Sequence, residues 1–143
     1  MNKAKKNNCE IILPIDVVLS KKKECVNLKK IQKKDKIFDI GKKTLKIIFE
    51  KLDKSKTIIW SGPLGLFEKK PYDKSTNELA KFINSKQKKI ISIAGGGDTV
   101  AAIKKNKKFN NFTFLSTGGG AFLKWLENFE LPLIEPLKKN KIK

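Results

Sequence analysis

Two hydrophobic periods alternate along this chain. Glu10 to Pro14 is a short apolar run and predicts a strand. From Thr44 to Leu52 the apolar positions are Leu45, Ile48, Phe49 and Leu52, one face of a helix. Thr57 to Trp60 is a β-branched run ending at Ser61-Gly62-Pro63, a strand entering a turn. Ser75 or Thr76 is placed to cap a helix that runs through Ser85, with Leu79, Phe82 and Ile83 facing inward. Met1 to Asn8 reads as the last turns of a helix whose beginning is missing.

One pattern then occurs twice. Lys89 to Ile93 predicts a strand, Gly95-Gly96-Gly97 a turn, and Asp98 to Lys105 a helix. Phe112 to Leu115 predicts a strand, Gly118-Gly119-Gly120 a turn, and Ala121 to Asn128 a helix. Apolar strands alternating with helices predict an α/β fold with a parallel sheet covered on both faces. The expected architecture is a Rossmann-like three-layer sandwich, incomplete because only about four strands are visible. One sheet edge and part of a helix-covered face are therefore expected to lack neighbours.

Composition narrows the chemistry. The 143 residues carry 33 basic and 14 acidic side chains, a formal charge of +19. Every basic residue is Lys; there is no Arg and no His. That excludes a Ser-His-Asp triad, imidazole metal ligands and a guanidinium clamp. The excess charge is spread along the chain, with short clusters at Lys21 to Lys23 and at Lys104, Lys105, Lys107 and Lys108. This pattern fits a solvated Lys-rich surface, such as an AT-rich genome encodes, better than a nucleic-acid surface. Cys9 and Cys25 form no CxxC motif, so two free thiols in a reducing cytoplasm are expected. No apolar run approaches the roughly 20 residues of a membrane span.

Candidate chemistry lies in the glycines. A strand that ends in glycines and opens a helix presents unpartnered N–H groups and the positive end of a helix dipole, which suits a phosphate. Two such turns at the carboxyl ends of strands in one sheet share a rim. Asp98 would repel a phosphate beside it unless a cation lay between, and Mg²⁺ held by one carboxylate plus phosphates is the usual arrangement. The alternative for Asp98 is a helix cap. A third candidate is the loop from Trp60 to Glu68 (WSGPLGLFE), where Leu66 offers an apolar surface and Glu68 an acceptor for a ribose. That loop reads equally as a packed loop with Glu68 as a surface charge.

WSGPLGLFE, Ile93 to Thr99 (IAGGGDT) and Leu115 to Ala121 (LSTGGGA) closely resemble, in order, the C-terminal signatures of phosphoglycerate kinase. Leu13-Pro14-Ile15-Asp16, Phe38-Asp39-Ile40-Gly41 with Thr44, and Leu131-Pro132 extend the resemblance over about residues 8 to 137. It implies Mg²⁺-dependent phosphoryl transfer between 1,3-bisphosphoglycerate and ADP, in the cytoplasm. It places Glu68 at the ribose of ATP or ADP, and Leu13 and Leu66 at the adenine. It gives Asp98 the Mg²⁺, through the nucleotide, and Gly96, Gly97 and Thr99 the nucleotide phosphates. Gly118, Gly119 and Gly120 would open the helix facing the transferred phosphoryl group. Ser61 stands where the family has an Asn near the nucleotide, Lys42 replaces a Pro, and Ser75 replaces a Gly.

The family's N-terminal domain, with its phosphoglycerate site and essential Arg, has no counterpart in these residues. Neither has the Gly-x-Lys segment that begins the nucleotide domain. The expectation is a partial C-terminal nucleotide-binding domain, inactive alone toward 3-phosphoglycerate or 1,3-bisphosphoglycerate, that either belongs to a longer sequence or pairs with a separately encoded N-terminal chain. The rival readings are a Lys-rich module binding anions or nucleic acid and a decayed remnant.

Overall fold

A computed structural model describes residues 2–20, 24–105 and 111–128. Lys21 to Lys23, Lys107, Lys108 and Leu131-Pro132, singled out above, lie outside the described residues. The elements in chain order are α1 (Asn2–Lys6), β1 (Asp16–Leu19), β2 (Cys25–Asn27), β3 (Ile37–Ile40), α2 (Lys42–Leu52), β4 (Thr57–Ser61), α3 (Lys74–Ser85), β5 (Ile91–Gly95), α4 (Gly97–Lys105), β6 (Phe114–Ser116) and α5 (Gly119–Asn128). The chain divides into two compact units. Unit one takes Met1–Ser55 and Leu64–Leu79; unit two takes Lys56–Pro63 and Ala80–Lys143.

Unit two carries the expected parallel sheet, in the order β4-β5-β6. One face is buried by Ile58 and Trp60 of β4 and by Ser92 and Ala94 of β5. Val100, Ala102 and Ile103 of α4 and Ile83 of α3 are buried as well. Ser92 is fully buried but satisfied: its N–H donates to Thr113 Oγ1 at 3.1 Å, and its Oγ accepts from Thr113 N–H at 3.2 Å. The α/β class and parallel pairing agree with the hydrophobic pattern. The boundaries move toward the C-terminus for both strands: β5 starts at Ile91 and β6 at Phe114. The helices start earlier than expected, at Gly97 and Gly119, so part of each triple glycine belongs to a helix instead of a turn.

Unit one was not legible as a sheet. Its three strands, ordered β2-β1-β3, pair antiparallel on both sides of β1. The run Glu10 to Pro14 is not a strand. Pro14 has no N–H to give a ladder, and Leu13 is 63% exposed. Pairing begins instead at Asp16, which faces Asn27 of β2. Val17 and Leu19 form the buried side of β1.

The caps also differ from expectation. Ser75 and Thr76 lie inside α3. Ser75 Oγ–H donates to Ile40 O at 3.3 Å, and Thr76 Oγ1 accepts from Leu64 N–H at 3.1 Å. Both hydroxyls are used to tie the helix to neighbouring backbone. Asp73 precedes the helix, and its carbonyl accepts the Asn77 N–H at 3.0 Å. At α2 the N-cap is Gly41, which has no capping side chain. Asp16 reaches across from β1 to do that work. Its Oδ1 accepts from Thr44 N–H at 2.8 Å and from Thr44 Oγ1–H at 2.6 Å, and its Oδ2 from Lys43 N–H at 3.0 Å. A Cβ at residue 41 would overlap this carboxylate, which is the reason for glycine there.

Candidate functional site

The site-bearing end of unit two is set by strand register. Ser61 lies opposite Gly95, and Gly95 opposite Ser116. The carboxyl ends of β4, β5 and β6 therefore finish in one row, about 10 Å across at ordinary strand spacing. Three of the sequence motifs leave the sheet from that row: Ser61-Gly62, Gly96-Gly97-Asp98-Thr99 and Gly118-Gly119-Gly120.

Two glycines of the first triplet have different physical reasons, and the third has none in the packing. Gly95 ends β5 beneath the Phe122 ring, and a Cβ there would overlap the ring. Gly96 has φ +96°, in the left-handed region that side chains avoid. Gly97 begins α4 with open space where a Cβ would go. The Gly96 carbonyl accepts the Val100 N–H at 3.0 Å. The N–H groups before Val100 have no carbonyl of their own helix to bond. The second rim repeats this arrangement more loosely. Ala121 N–H donates to Gly118 O at 3.0 Å, and open space lies over Gly120.

Asp98 is exposed in the first turn of α4. Among the described residues its carboxylate has no hydrogen-bond or ion-pair partner. It does not cap the helix by a side-chain bond. It leaves an exposed carboxylate beside an N–H-rich rim, where the helix dipole favours it. Among the described residues no group of three or more His, Cys, Asp or Glu could hold a metal ion. A Mg²⁺ here would be held by one carboxylate and by oxygens of its ligand, a combination that suits this ion.

Thr99 has a task the sequence did not disclose. Its side chain is fully buried, and its Oγ1 accepts from Gly62 N–H at 2.7 Å. Trp60 Nε1–H donates to Gly62 O at 2.6 Å. Gly62 is thus held at both backbone atoms, from α4 and from β4. The result is a fixed start to the loop after Ser61, whose own side chain is exposed. No sequence signal separates a Thr that binds a ligand from one that ties a loop.

The remaining candidates lie in unit one. Leu13 and Glu68 are exposed, and Leu66 is half-buried. Leu66 N–H donates to Phe38 O at 2.8 Å, which fixes the loop on β3. Behind it, Asp39 is buried; its Oδ2 accepts from Ser75 N–H at 3.2 Å and its Oδ1 from Ile40 N–H at 2.8 Å. Burial pushes the Asp39 carboxyl above its ordinary value, the Ser75 and Ile40 bonds oppose that, and Asp73 nearby adds to it. For Asp16, burial also pushes upward, but the Thr44 and Lys43 bonds win and hold the carboxyl below its ordinary value. A carboxylate inside an apolar strand, as in IDVVL and IFDI, was the available signal for both.

The open space at Gly97 permits a clean substitution. Gly97→Ala should stabilise α4 by up to about 1 kcal/mol, because the helical conformation suits Ala and nothing is displaced. The added methyl would occupy the space above the rim. We expect thermal unfolding at an equal or higher temperature together with weaker binding of pyrophosphate, measured by calorimetry.

Comparison with known proteins gives one consistent result. The sequence profile of phosphoglycerate kinase matches residues 1–128. The phosphoglycerate kinase of Caulobacter vibrioides (strain NA1000 / CB15N) is 44% identical over an alignment that takes in 96% of this chain and 37% of that protein. That of Orientia tsutsugamushi (strain Ikeda) is 43% identical, over 96% of this chain and 36% of that protein. Among solved structures, phosphoglycerate kinase from Coxiella burnetii aligns with a TM-score of 0.81 at 33% identity, covering 96% of this chain and 36% of that one. The enzyme from Pyrococcus horikoshii OT3 aligns with a TM-score of 0.72, over 87% of this chain and 32% of that one. The chain spans little more than a third of the length of the curated relatives it matches.

Proposed function

The chain belongs to the phosphoglycerate kinase family, and from that we propose that it is the C-terminal, nucleotide-holding segment of such an enzyme. The family uses ATP or ADP with Mg²⁺. The observation that carries the reading is the aligned rim of unit two: two glycine-opened helices, free space over Gly97 and Gly120, and, in the first turn of α4, an Asp98 without a partner among the described residues. In this reading the N–H groups of α4 after Gly96 hold the nucleotide phosphates. Asp98 holds Mg²⁺, which supplies neutralisation of phosphate charge. Gly118, Gly119 and Gly120 open α5 toward the phosphoryl group being transferred. Thr99 serves as a positioning residue through Gly62, with Ser61 beside the phosphates. For Leu13 and Leu66 at the adenine and Glu68 at the ribose, the support is the resemblance of their motifs.

Phosphoryl transfer asks the protein for positioning and charge neutralisation more than for a covalent nucleophile. A chain without His or Arg can meet the nucleotide half of that requirement. Transfer between 1,3-bisphosphoglycerate and ADP also needs the second reactant held in line. We place that function outside the 143 residues, in polypeptide provided by the same or another chain. The 143 residues alone are expected to bind Mg·ADP and to show no phosphoglycerate turnover. Residence in the cytoplasm follows the family; no helix among the described residues is long and apolar enough to cross a membrane.

Calorimetric titration with Mg·ADP tests the reading. Asp98→Ala should weaken binding about 10- to 100-fold, the scale of one bond to a charged group. The same substitution should strengthen Mg-free binding, because it removes a charge that repels the phosphates. Equal affinity of the two proteins for Mg·ADP would reject the assignment of Asp98. A second reading has one observation in its favour: unit one has a groove of about 870 Å³ bordered by Lys30, Lys34, Lys36 and Lys43. It predicts anion binding that is insensitive to Asp98 and falls steeply with salt.

A further inference from the structure

Among its described residues unit one buries two carboxylates, Asp16 and Asp39, and they differ in what their charge does for the fold. Burial pushes the Asp16 carboxyl up, but the bonds from Thr44 and Lys43 win and hold it below its ordinary value, so its charge favours folding. Burial keeps the Asp39 carboxyl above its ordinary value, so its charge opposes folding. Asp39 is 3% exposed, and among the described residues no lysine forms an ion pair with it. Stability therefore does not account for an acidic residue at this position.

The carboxylate lies where a loop, a strand and a helix start converge. Its Oδ2 accepts from Ser75 N–H at 3.2 Å, in the first turn of α3, and its Oδ1 from Ile40 N–H at 2.8 Å, at the end of β3. Gly65 packs against Oδ1, and a Cβ on Gly65 would overlap that oxygen and the Tyr72 carbonyl oxygen. The φ of Gly65 is not in the left-handed region, so close approach is what calls for glycine there. The loop residues on either side are fixed on the same support. Leu64 N–H donates to Thr76 Oγ1 at 3.1 Å, beside Ser75 on α3, and Leu66 N–H to Phe38 O at 2.8 Å, beside Asp39 on β3.

We propose that Asp39 is a positioning residue for the base-and-ribose end of the nucleotide: through Gly65 and the start of α3 it fixes the loop that presents Leu66 and Glu68. This role rests on the nucleotide reading proposed for the chain, which puts Leu66 at the adenine and Glu68 at the ribose. An Asn at residue 39 would keep one acceptor and turn an amide donor toward Ser75 N–H or Ile40 N–H. It would also lose the charge, which makes the stronger hydrogen bonds.

The test is calorimetric titration of the 143-residue chain with Mg·ADP and with Mg·pyrophosphate, which has neither base nor ribose. Wild type is expected to prefer Mg·ADP. Asp39→Ala should weaken Mg·ADP about 10-fold, the worth of one displaced polar contact, and change Mg·pyrophosphate by less than about twofold. Asp39→Asn should fall between wild type and Asp39→Ala. Gly65→Ala, which pushes the loop off an intact Asp39, should reproduce the Asp39→Ala result. Adding Asp39→Ala to it should cost little more, because both act through one contact. Glu50→Gln, which removes an exposed acidic charge from α2 of the same unit, should alter neither affinity. Amide exchange at Leu66 should quicken in Asp39→Ala and in Gly65→Ala. Urea unfolding shows which variants are folded; where Asp39→Ala is not, Asp39→Asn and Gly65→Ala decide. Equal loss of both ligands, loss of neither, or additive losses in the double variant would overturn the role and leave the nucleotide reading standing. A wild-type chain that binds neither ligand, or both equally, would overturn that reading and this role with it.

Discussion

Asp16→Ala should lower the unfolding free energy by about 3 kcal/mol, since bonds to a buried carboxylate are worth more than neutral ones and their orphaned donors stay desolvated. The side chain is 5% exposed and accepts three hydrogen bonds, two from Thr44 and one from Lys43. Among the described residues it is also the only side chain that caps the first turn of α2, because Gly41 has none to offer. Removing it unties β1 from α2 and leaves the Thr44 N–H and hydroxyl without their shared acceptor. Asp16→Asn keeps one acceptor but turns an amide donor toward another donor, so it should fall between the two. Urea unfolding followed by circular dichroism measures all three.

The pH dependence has a definite sign. The Asp16 carboxyl is held below its ordinary value of 3.8 in the folded chain. Its contribution is therefore full above 3.8 and is lost as pH falls through the lower folded value. The difference between wild type and Asp16→Ala should shrink with acid below that point. Asp39 works in the opposite direction. Burial holds it above 3.8, so its ionisation opposes folding at neutral pH, and that penalty disappears as pH falls through the raised value toward 3.8.

Trp60→Ala should cost about 3 to 5 kcal/mol, the range for emptying a large aromatic from a core. Trp60 is 5% exposed at the carboxyl end of β4, with the Phe112 ring centroid 6.1 Å away. Its indole N–H also holds Gly62, so the loss reaches the rim directly. Trp60→Phe keeps most of the ring and drops the N–H bond; about 1 kcal/mol is expected for that bond. Thermal unfolding reports both variants. Trp125 is the other tryptophan, and it is 41% exposed, so Trp125→Phe isolates Trp60 emission as a probe of unit two.

How far the sequence could be read depended on whether local pattern or pairing decides each element. α2 was legible because Leu45, Ile48, Phe49 and Leu52 mark one face whatever lies against it. The strand-glycine-helix units were legible because three signals coincide at Gly95 and at Gly118. The start of β5 was not, because Ile91 N–H bonds Lys56 O and pairing with β4 sets where the ladder begins. The antiparallel sheet of unit one escaped notice for a related reason. Asp16 and Asp39 interrupt its apolar runs, and their burial depends on Thr44, Lys43 and Ser75, far away in the chain. β2 has only three residues, two of them exposed. At the rim, residue types pointed to phosphate chemistry. They could not show that Gly95 makes room for Phe122 or that Thr99 holds Gly62, since both are contacts between elements.

The proposed nucleotide site puts the phosphates of a Mg-bound nucleotide on the helix starts at the ends of β5 and β6. The most direct measurement is amide chemical-shift mapping of the ¹⁵N-labelled 143-residue chain during titration with Mg·ADP. The largest shifts are expected at Gly97, Asp98 and Thr99, with further shifts at Gly119 and Gly120, all reduced in Asp98→Ala. Shifts confined to Lys30, Lys34, Lys36 and Lys43, unchanged by Asp98→Ala, would contradict this placement.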